Sequence, residues 1–368
     1  MLPRGARQII IDQDGGHRGH AFFGNATMII LNNTTPHGFA LFANLDDPDG
    51  NGERFSRLAC RTMLEDPGTT EDELKSVIDT CIRTLREVPP ETRNPSRLLF
   101  APIDERYKNR IAHFSSSGIA GKLFDGTSVT QSSHFLYYDV HAALQNPELK
   151  ILTLLALTNE IEMLARDGIE TVIVTEEFWS LLKDPVTASY FESWMRRVGK
   201  MGVWLWMVTH EIGDISDTAN AESFIGNFGC YFVLPSVAMM DPMIQSHLAR
   251  IGLTKDEAIY LANAAPGKSE DSGSGQRLAY VIKGGRKRLI STQLADIAIL
   301  TVGQSSVVQR QKLSTKLAGL PRFEAYAQAV RSFGGVHRED WYKHFVKNIM
   351  PHYDSSAAIP VSTDILVA

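Results

Sequence analysis

The chain has 368 residues, 43% hydrophobic and 21% charged, a globular balance that excludes a disordered or fibrous protein. Its formal charge of -5 excludes a strong overall field drawing it to nucleic acid or anionic lipid. Cys60, Cys81 and Cys230 are scattered and form no CxxC pair, which excludes a disulfide framework or zinc ribbon and suits a reducing compartment.

Met1-Leu2-Pro3-Arg4 has no apolar core of the kind a signal peptide carries, and no run approaches the roughly 18 apolar residues of a membrane span. The chain runs almost at once into Gln8–Asp12, which predicts a buried parallel strand ending in an acid. A Gly-rich stretch follows, then a second strand over Thr27–Leu31, closed by the turn residues Asn32 to Gly38. Thr70 and Glu73 predict a capping box. Behind it Leu74, Val77, Ile78, Cys81, Ile82 and Leu85 keep helical spacing until Pro89-Pro90 stops the helix. Residues 45–115 read as a mostly helical lobe.

From Asn146-Pro147 the pattern becomes regular. Helices over Leu149–Arg166, Val186–Lys200 and Ala219–Phe228 alternate with strands Thr171–Thr175, Val203–Val208 and Cys230–Leu234. Continuous apolar strands alternating with helices predict an α/β fold, with a parallel sheet covered on both faces. Phe178, Trp179, Trp194, Trp204 and Trp206 are expected to fill the core beside it. Thr254 and Glu257 predict a second capping box, with a helix to about Ala264. Residues 267–275 form a polar loop, and Arg277–Lys283 with Lys287–Ser291 a hairpin around Gly284-Gly285. The remainder reads as helical, with a disordered tail from Ser355.

The string Val172-Ile173-Val174-Thr175-Glu176-Glu177 carries the most chemistry. An apolar strand that delivers two acids at its carboxyl end is a Walker B arrangement, and ligands of open α/β sheets bind at that edge. Glu176 would hold magnesium through water and Glu177 would orient or deprotonate an attacking water. A strand closing in a solvated turn gives the same residues. The next strand ends in Thr209-His210, both able to donate to phosphate oxygens or simply to cap the following segment. Arg196, Arg197 and Lys200 close the intervening helix, where cations suit the helix dipole; they also suit a phosphate contact or arginine finger reaching a neighbouring subunit.

Ala262 to Ser269 nearly spells a P-loop, but it follows a helix and runs into a polar loop, so Lys268 is not expected to bind phosphate. His17, His20, His134, His141, His344 and His352 show no metal-ligand spacing.

In order and spacing these features resemble the motor domain of the VirB4/TrbE/CagE family, the cytoplasmic ATPases of type IV secretion and conjugative transfer. The family's strand ends Asp-Glu-x-Trp, its helix ends Arg-Lys before Asn-Gly, and its next strand ends Thr-Gln. The corresponding residues here are Glu176-Glu177-Phe178-Trp179, Arg196-Arg197 with Lys200 and Gly202, and Thr209-His210. Ile10-Ile11-Asp12-Gln13-Asp14-Gly15-Gly16 resembles the family's FDxDxG, Leu123-Phe124-Asp125-Gly126 its LFD segment, and Ile251-Gly252-Leu253-Thr254 its LGLT helix start. The chain departs from the family at Glu176 for aspartate, His210 for glutamine and Arg197 for lysine. It also contains no G-x-x-x-x-G-K-[ST] string, which the family carries a few tens of residues before the position of Asp12.

The resemblance implies a RecA-like P-loop NTPase fold. Its core would begin in residues 1–44 and continue over 116–305, with the helical insertion at 45–115 and a helical region and tail at 306–368. It implies ATP and Mg2+ as cofactors, bound weakly or not at all without the missing loop. Glu176 would carry the metal, Glu177 the water, His210 and Thr209 the γ-phosphate, and Arg196, Arg197 or Lys200 a neighbour's site. It implies a hexamer at the cytoplasmic face of the inner membrane, working with other type IV secretion components on pilus assembly and substrate export. A non-hydrolysing scaffold and a DNA-pumping motor are the alternatives; charge gives nucleic acid no support.

Overall fold

Three consecutive isoleucines, Ile9, Ile10 and Ile11, are almost wholly buried at the centre of a parallel sheet. Strands exposed on neither face need such continuous apolar runs. The computed structural model describes residues 5–24, 26–34, 36–126, 133–176, 178–209, 212–216, 218, 221–265 and 276–293. In chain order the first elements are β1 (Arg7–Asp12), α1 (Arg18–Phe23) and β2 (Thr27–Ile30). Five helices follow: α2 (Asn51–Leu64), α3 (Glu71–Arg86), α4 (Pro95–Leu98), α5 (Glu105–Phe114) and α6 (Gly121–Phe124). Then come β3 (Phe135–Asp139), α7 (His141–Gln145), α8 (Pro147–Ala165), β4 (Thr171–Thr175), α9 (Pro185–Lys200) and β5 (Val203–Met207). The chain divides into two compact units, one formed by residues up to Asp14 with Ala26–Val208, the other by Gly15–Asn25 with the chain from Thr209 onward.

In the first unit five strands run in the order β2-β3-β1-β4-β5, and every pairing is parallel. Helices flank the sheet, making the α/β fold that the alternation predicts. The connection from β1 leads toward β2 on one side, while that from β4 leads to β5 on the other. Neighbouring strands whose connections diverge leave a crevice at their carboxyl ends.

The helix α8 is apolar nearly all round and buried along most of its length, as a central helix must be. It nevertheless buries two acids, each with a partner. Glu160 accepts from the Tyr138 hydroxyl at 2.7 Å and lies 3.1 Å from His37 Nε2. Glu162 receives Arg197 at 2.9 and 3.3 Å. The Thr70 hydroxyl caps α3 at 3.4 Å from the Glu73 amide.

The structure departs from the sequence reading in four places. The strand β3 is absent from that reading, although its Phe-Leu-Tyr-Tyr run between Ser133 and Asp139 is strand-like; it inserts between β1 and β2. The short helix α1 stands where a Gly-rich loop is expected. Phe178 and Trp194 are buried and packed with Phe191, at centroid distances of 5.3 to 6.2 Å. Trp204 and Trp206, however, are 60% and 50% exposed on β5, the last strand of the sheet among the described residues. The end strand has a neighbour on one edge only, so continuous apolar sequence does not secure burial there.

The fourth departure is in the second unit. It comprises α10 (Gly213–Ser216), α11 (Ala221–Asn227), β6 (Cys230–Val233), α12 (Pro242–Arg250), α13 (Lys255–Asn263), β7 (Gln276–Lys283) and β8 (Arg286–Gln293). The Cys230–Val233 strand does not extend the parallel sheet: it pairs antiparallel with β7 in the order β6-β7-β8. Its burial is that of a one-sided strand, with Phe232 49% exposed, and antiparallel sheets tolerate a wet face.

Gly284 and Gly285 both take positive φ, 54° and 74°, as the two-residue turn between β7 and β8 requires. Gly252, at φ 94°, turns the chain between α12 and α13, and Thr254 with Glu257 completes a full capping box. The LGLT-like segment is thus a helix-to-helix joint. The polar loop at 266–275 and the region from 294 onward, with its expected helices and tail, lie outside the described residues.

Candidate functional site

The carboxyl ends of β3, β1 and β4 bring Asp139, Asp12 and Glu176 to one edge of the sheet. The register sets Asp12 beside Asp139 and Ile11 beside Thr175, so Asp12 and Gln13 neighbour the Thr175–Glu176 end of β4. Asp12 is fully buried, and its Oδ2 accepts the Tyr137 hydroxyl at 2.9 Å while Oδ1 accepts the Asp14 amide at 3.1 Å. Asp139 Oδ1 accepts the His141 amide at 3.2 Å, and the His141 ring meets the Gln13 carbonyl at 3.0 Å. This edge is the crevice that the diverging connections create.

Two buried polar atoms there have no hydrogen-bond partner, Thr175 Oγ1 and Gln13 Oε1. Unsatisfied buried oxygens are costly and point to a further polar group beside them. Glu176 itself is half-buried. An all-oxygen donor set suits a hard divalent cation. No cluster of three or more His, Cys, Asp or Glu among the described residues converges as a metal ligand set. Magnesium commonly uses one or two carboxylates plus water and phosphate, so a single Glu176 fits it without such a cluster.

Just past Glu176, Trp179 has Lys183 Nζ 4.7 Å and Lys150 Nζ 5.7 Å from its ring centroid. Local sequence does not reveal two cations on one indole near this edge, because Lys150 comes from α8, distant in sequence. Glu177 and His210 lie outside the described residues. Thr209 belongs to the second unit, where its hydroxyl donates to Asp214 Oδ2 at 2.5 Å.

The basic residues of α9 are elsewhere. A helix of 16 residues spans about 24 Å, and α9 runs back from the carboxyl edge to the start of β5. Arg196, Arg197 and Lys200, in its last two turns, therefore sit at the amino edge of the sheet, near where the Gly202 carbonyl accepts from Thr171. They do not share the Glu176 edge within one chain. Arg197 is taken up by Glu162, donates to Ser193 Oγ at 3.0 Å and lies over the Tyr190 ring. Burial opposes its charge, but Glu162 holds the guanidinium above its usual pKa. Burial also pushes the Tyr190 phenol well up. Arg196 is 58% exposed and pairs with Glu192 one turn back; Lys200 is exposed.

The LFD-like segment has a structural task. Asp125 accepts from the Ser96 amide at 2.8 Å and its hydroxyl at 2.6 Å, anchoring the start of α4. A Cβ on Gly126 would come within 1.6 Å of the Gly38 carbonyl oxygen, so only glycine fits there.

No family model matches the chain. Among curated proteins, a probable conjugal transfer protein TrbE of Sinorhizobium fredii is 24% identical over 210 residues, covering 56% of this chain and 30% of that protein. The type IV secretion system protein virB4 of Bartonella henselae is 24% identical over 224 residues, 59% of this chain and 28% of that protein. The solved structure of VirB4 of Thermoanaerobacter pseudethanolicus superposes with a TM-score of 0.61 at 18% identity, covering 79% of this chain and 83% of that one. Over the matched part, the chain is similar to VirB4 and TrbE proteins. It spans only about 30% of the length of the curated VirB4 and TrbE relatives it matches. The likeness to the VirB4 structure establishes the fold, and its relatives work in conjugal transfer and type IV secretion. No described helix is long and apolar enough to cross a membrane.

Proposed function

We propose that this chain is the motor portion of a type IV secretion or conjugal-transfer ATPase with a RecA-like core, coupling ATP hydrolysis to pilus assembly and substrate export. The observation that carries this reading is the placement of Glu176 at the carboxyl end of β4, beside the buried Asp12 and the unsatisfied Thr175 and Gln13 oxygens. Magnesium, when bound, would supply neutralisation of the nucleotide's phosphate charge. Glu176 would hold that ion, and Glu177 would act as the base that takes the proton of the attacking water. His210 and Thr209, which follow β5 in sequence, would be the donors to the γ-phosphate.

In this reading Arg196 and Lys200, at the amino edge of the sheet, serve a neighbouring subunit's nucleotide in a ring assembly such as a hexamer. Arg197, committed to Glu162, serves that role less well than Arg196. The assembly works at the cytoplasmic face of the inner membrane with other secretion components.

The 368 residues include no G-x-x-x-x-G-K-[ST] loop. β5 supports an answer: it ends the sheet among the described residues and exposes Trp204, Trp206 and Val208, so a strand bearing that loop can add beside it. The missing string, with Glu176 and His210 in place of the family's aspartate and glutamine, favours a second reading, a non-hydrolysing scaffold in the same apparatus.

Titration of the full-length product with a fluorescent ATP analogue tests the first reading. Magnesium-dependent binding that weakens in Glu176→Gln supports it. Binding indifferent to magnesium and to that substitution removes Glu176 from the site.

A further inference from the structure

A groove of about 580 Å³ opens in the first unit between α2, α3 and the amino end of α9. Its floor is apolar, made by Leu58, Ile78, Pro185, Val186 and the Tyr190 ring, and Val186 stays 41% exposed. Four cations, Arg54, Arg57, Arg61 and Lys75, line it against two acids, Glu71 and Asp72.

The cations divide by use. Arg57 is committed to Glu53 at 2.8 Å and Asp79 at 2.5 Å, and Arg61 to Glu71 at 2.6 Å. Arg54 reaches only the Ser193 hydroxyl, at 3.5 Å, and among the described residues neither Arg54 nor Lys75 pairs with an acid. The groove therefore offers an apolar floor between two uncommitted positive charges, one from α2 and one from α3.

We propose that this groove docks an acidic, apolar segment of a partner protein, its apolar side chains on the Leu58–Val186 floor and its carboxylates on Arg54 and Lys75. A polyphosphate fits less well. The amides at the start of α9 are already filled by Asp184, at 3.0 Å from Val186 N and 2.9 Å from Thr187 N, and the Arg57 and Arg61 forks are spent. A second copy in a two-fold contact would set the cationic groove against itself. The inference does not depend on nucleotide chemistry.

Fluorescence anisotropy on the full chain tests it with two short synthetic peptides that share a Leu-Phe-Leu core, one flanked by glutamates and one by lysines. The glutamate peptide should bind and weaken as salt rises. The double variant Arg54→Glu/Lys75→Glu, both on exposed rims, should lose about tenfold in affinity for it and gain for the lysine peptide. Val186→Glu should also lose binding, with circular dichroism melting checking that both variants fold. Three results overturn the proposal: no binding of the glutamate peptide, no preference between the peptides, or displacement by inorganic pyrophosphate, which would give the groove to a phosphate ligand.

Discussion

The Tyr137 hydroxyl, from the middle of β3, donates at 2.9 Å to Oδ2 of Asp12 at the end of β1, in a fully buried bond one strand from Glu176. A buried carboxylate that loses a donor keeps its desolvation cost, so Tyr137→Phe should destabilise the fold by about 1–3 kcal/mol. Urea unfolding reads this directly. A midpoint unchanged from wild type would mean that Asp12 is satisfied without the phenol.

Arg197 and Glu162 form the ion pair between α8 and α9, with side chains 20% and 10% exposed. Removing one partner strands the other, so Arg197→Ala should cost about 3 kcal/mol. Arg196→Ala, at an exposed position, should stay within about 0.5 kcal/mol. In the assembled protein the same Arg196→Ala should lower ATP turnover. Equal thermal shifts for the two variants would argue against this division of labour.

Arg57 and Arg86 hydrogen bonds hold the Glu53 carboxyl below its ordinary value of 4.5, linking α2 to α3. A depressed folded-state pKa stabilises fully above the unfolded value and is lost as pH falls through the folded one. Glu53→Gln should therefore be less stable than wild type near neutrality, and its melting temperature should drop less between about pH 5 and pH 3. Parallel pH profiles for the two proteins would remove Glu53 from the acid response.

Gly126→Ala should destabilise by at least about 2 kcal/mol, since the new Cβ meets the Gly38 carbonyl oxygen at 1.6 Å and backbone cannot yield cheaply. Differential scanning calorimetry suffices, and a wild-type melting temperature would show that the loop moves freely.

The exposed Trp204 and Trp206 on the sheet's end strand should make this chain self-associate. Sedimentation velocity should show concentration-dependent species that Trp204→Lys with Trp206→Glu reduces to monomer. A wild-type monomer at all concentrations would contradict this.

Periodicity and punctuation make most of the first unit legible. The Ile-rich run of β1, the capped α3 and the β4-α9-β5 alternation follow from side-chain spacing alone. Partner choice does not follow. Cys230–Val233 reads as one more parallel strand because its apolar run is short and continuous, yet its ladder is antiparallel to β7. Trp204 and Trp206 are apolar and strand-borne, but burial depends on a neighbour that local sequence does not specify. The two acids after β4 are visible as chemistry; the buried Tyr137–Asp12 bond and the Lys150–Trp179 contact join distant segments and leave no local trace. The basic end of α9 is visible too, but only the parallel topology puts it at the edge opposite Glu176.

Magnesium-dependent ATP turnover by the full-length natural product, compared with its Glu177→Gln variant, tests the motor assignment most directly. The account predicts turnover in the wild type and its loss in the variant, with nucleotide binding retained. Nucleotide binding without turnover in the wild type, or turnover unchanged by Glu177→Gln, would contradict it.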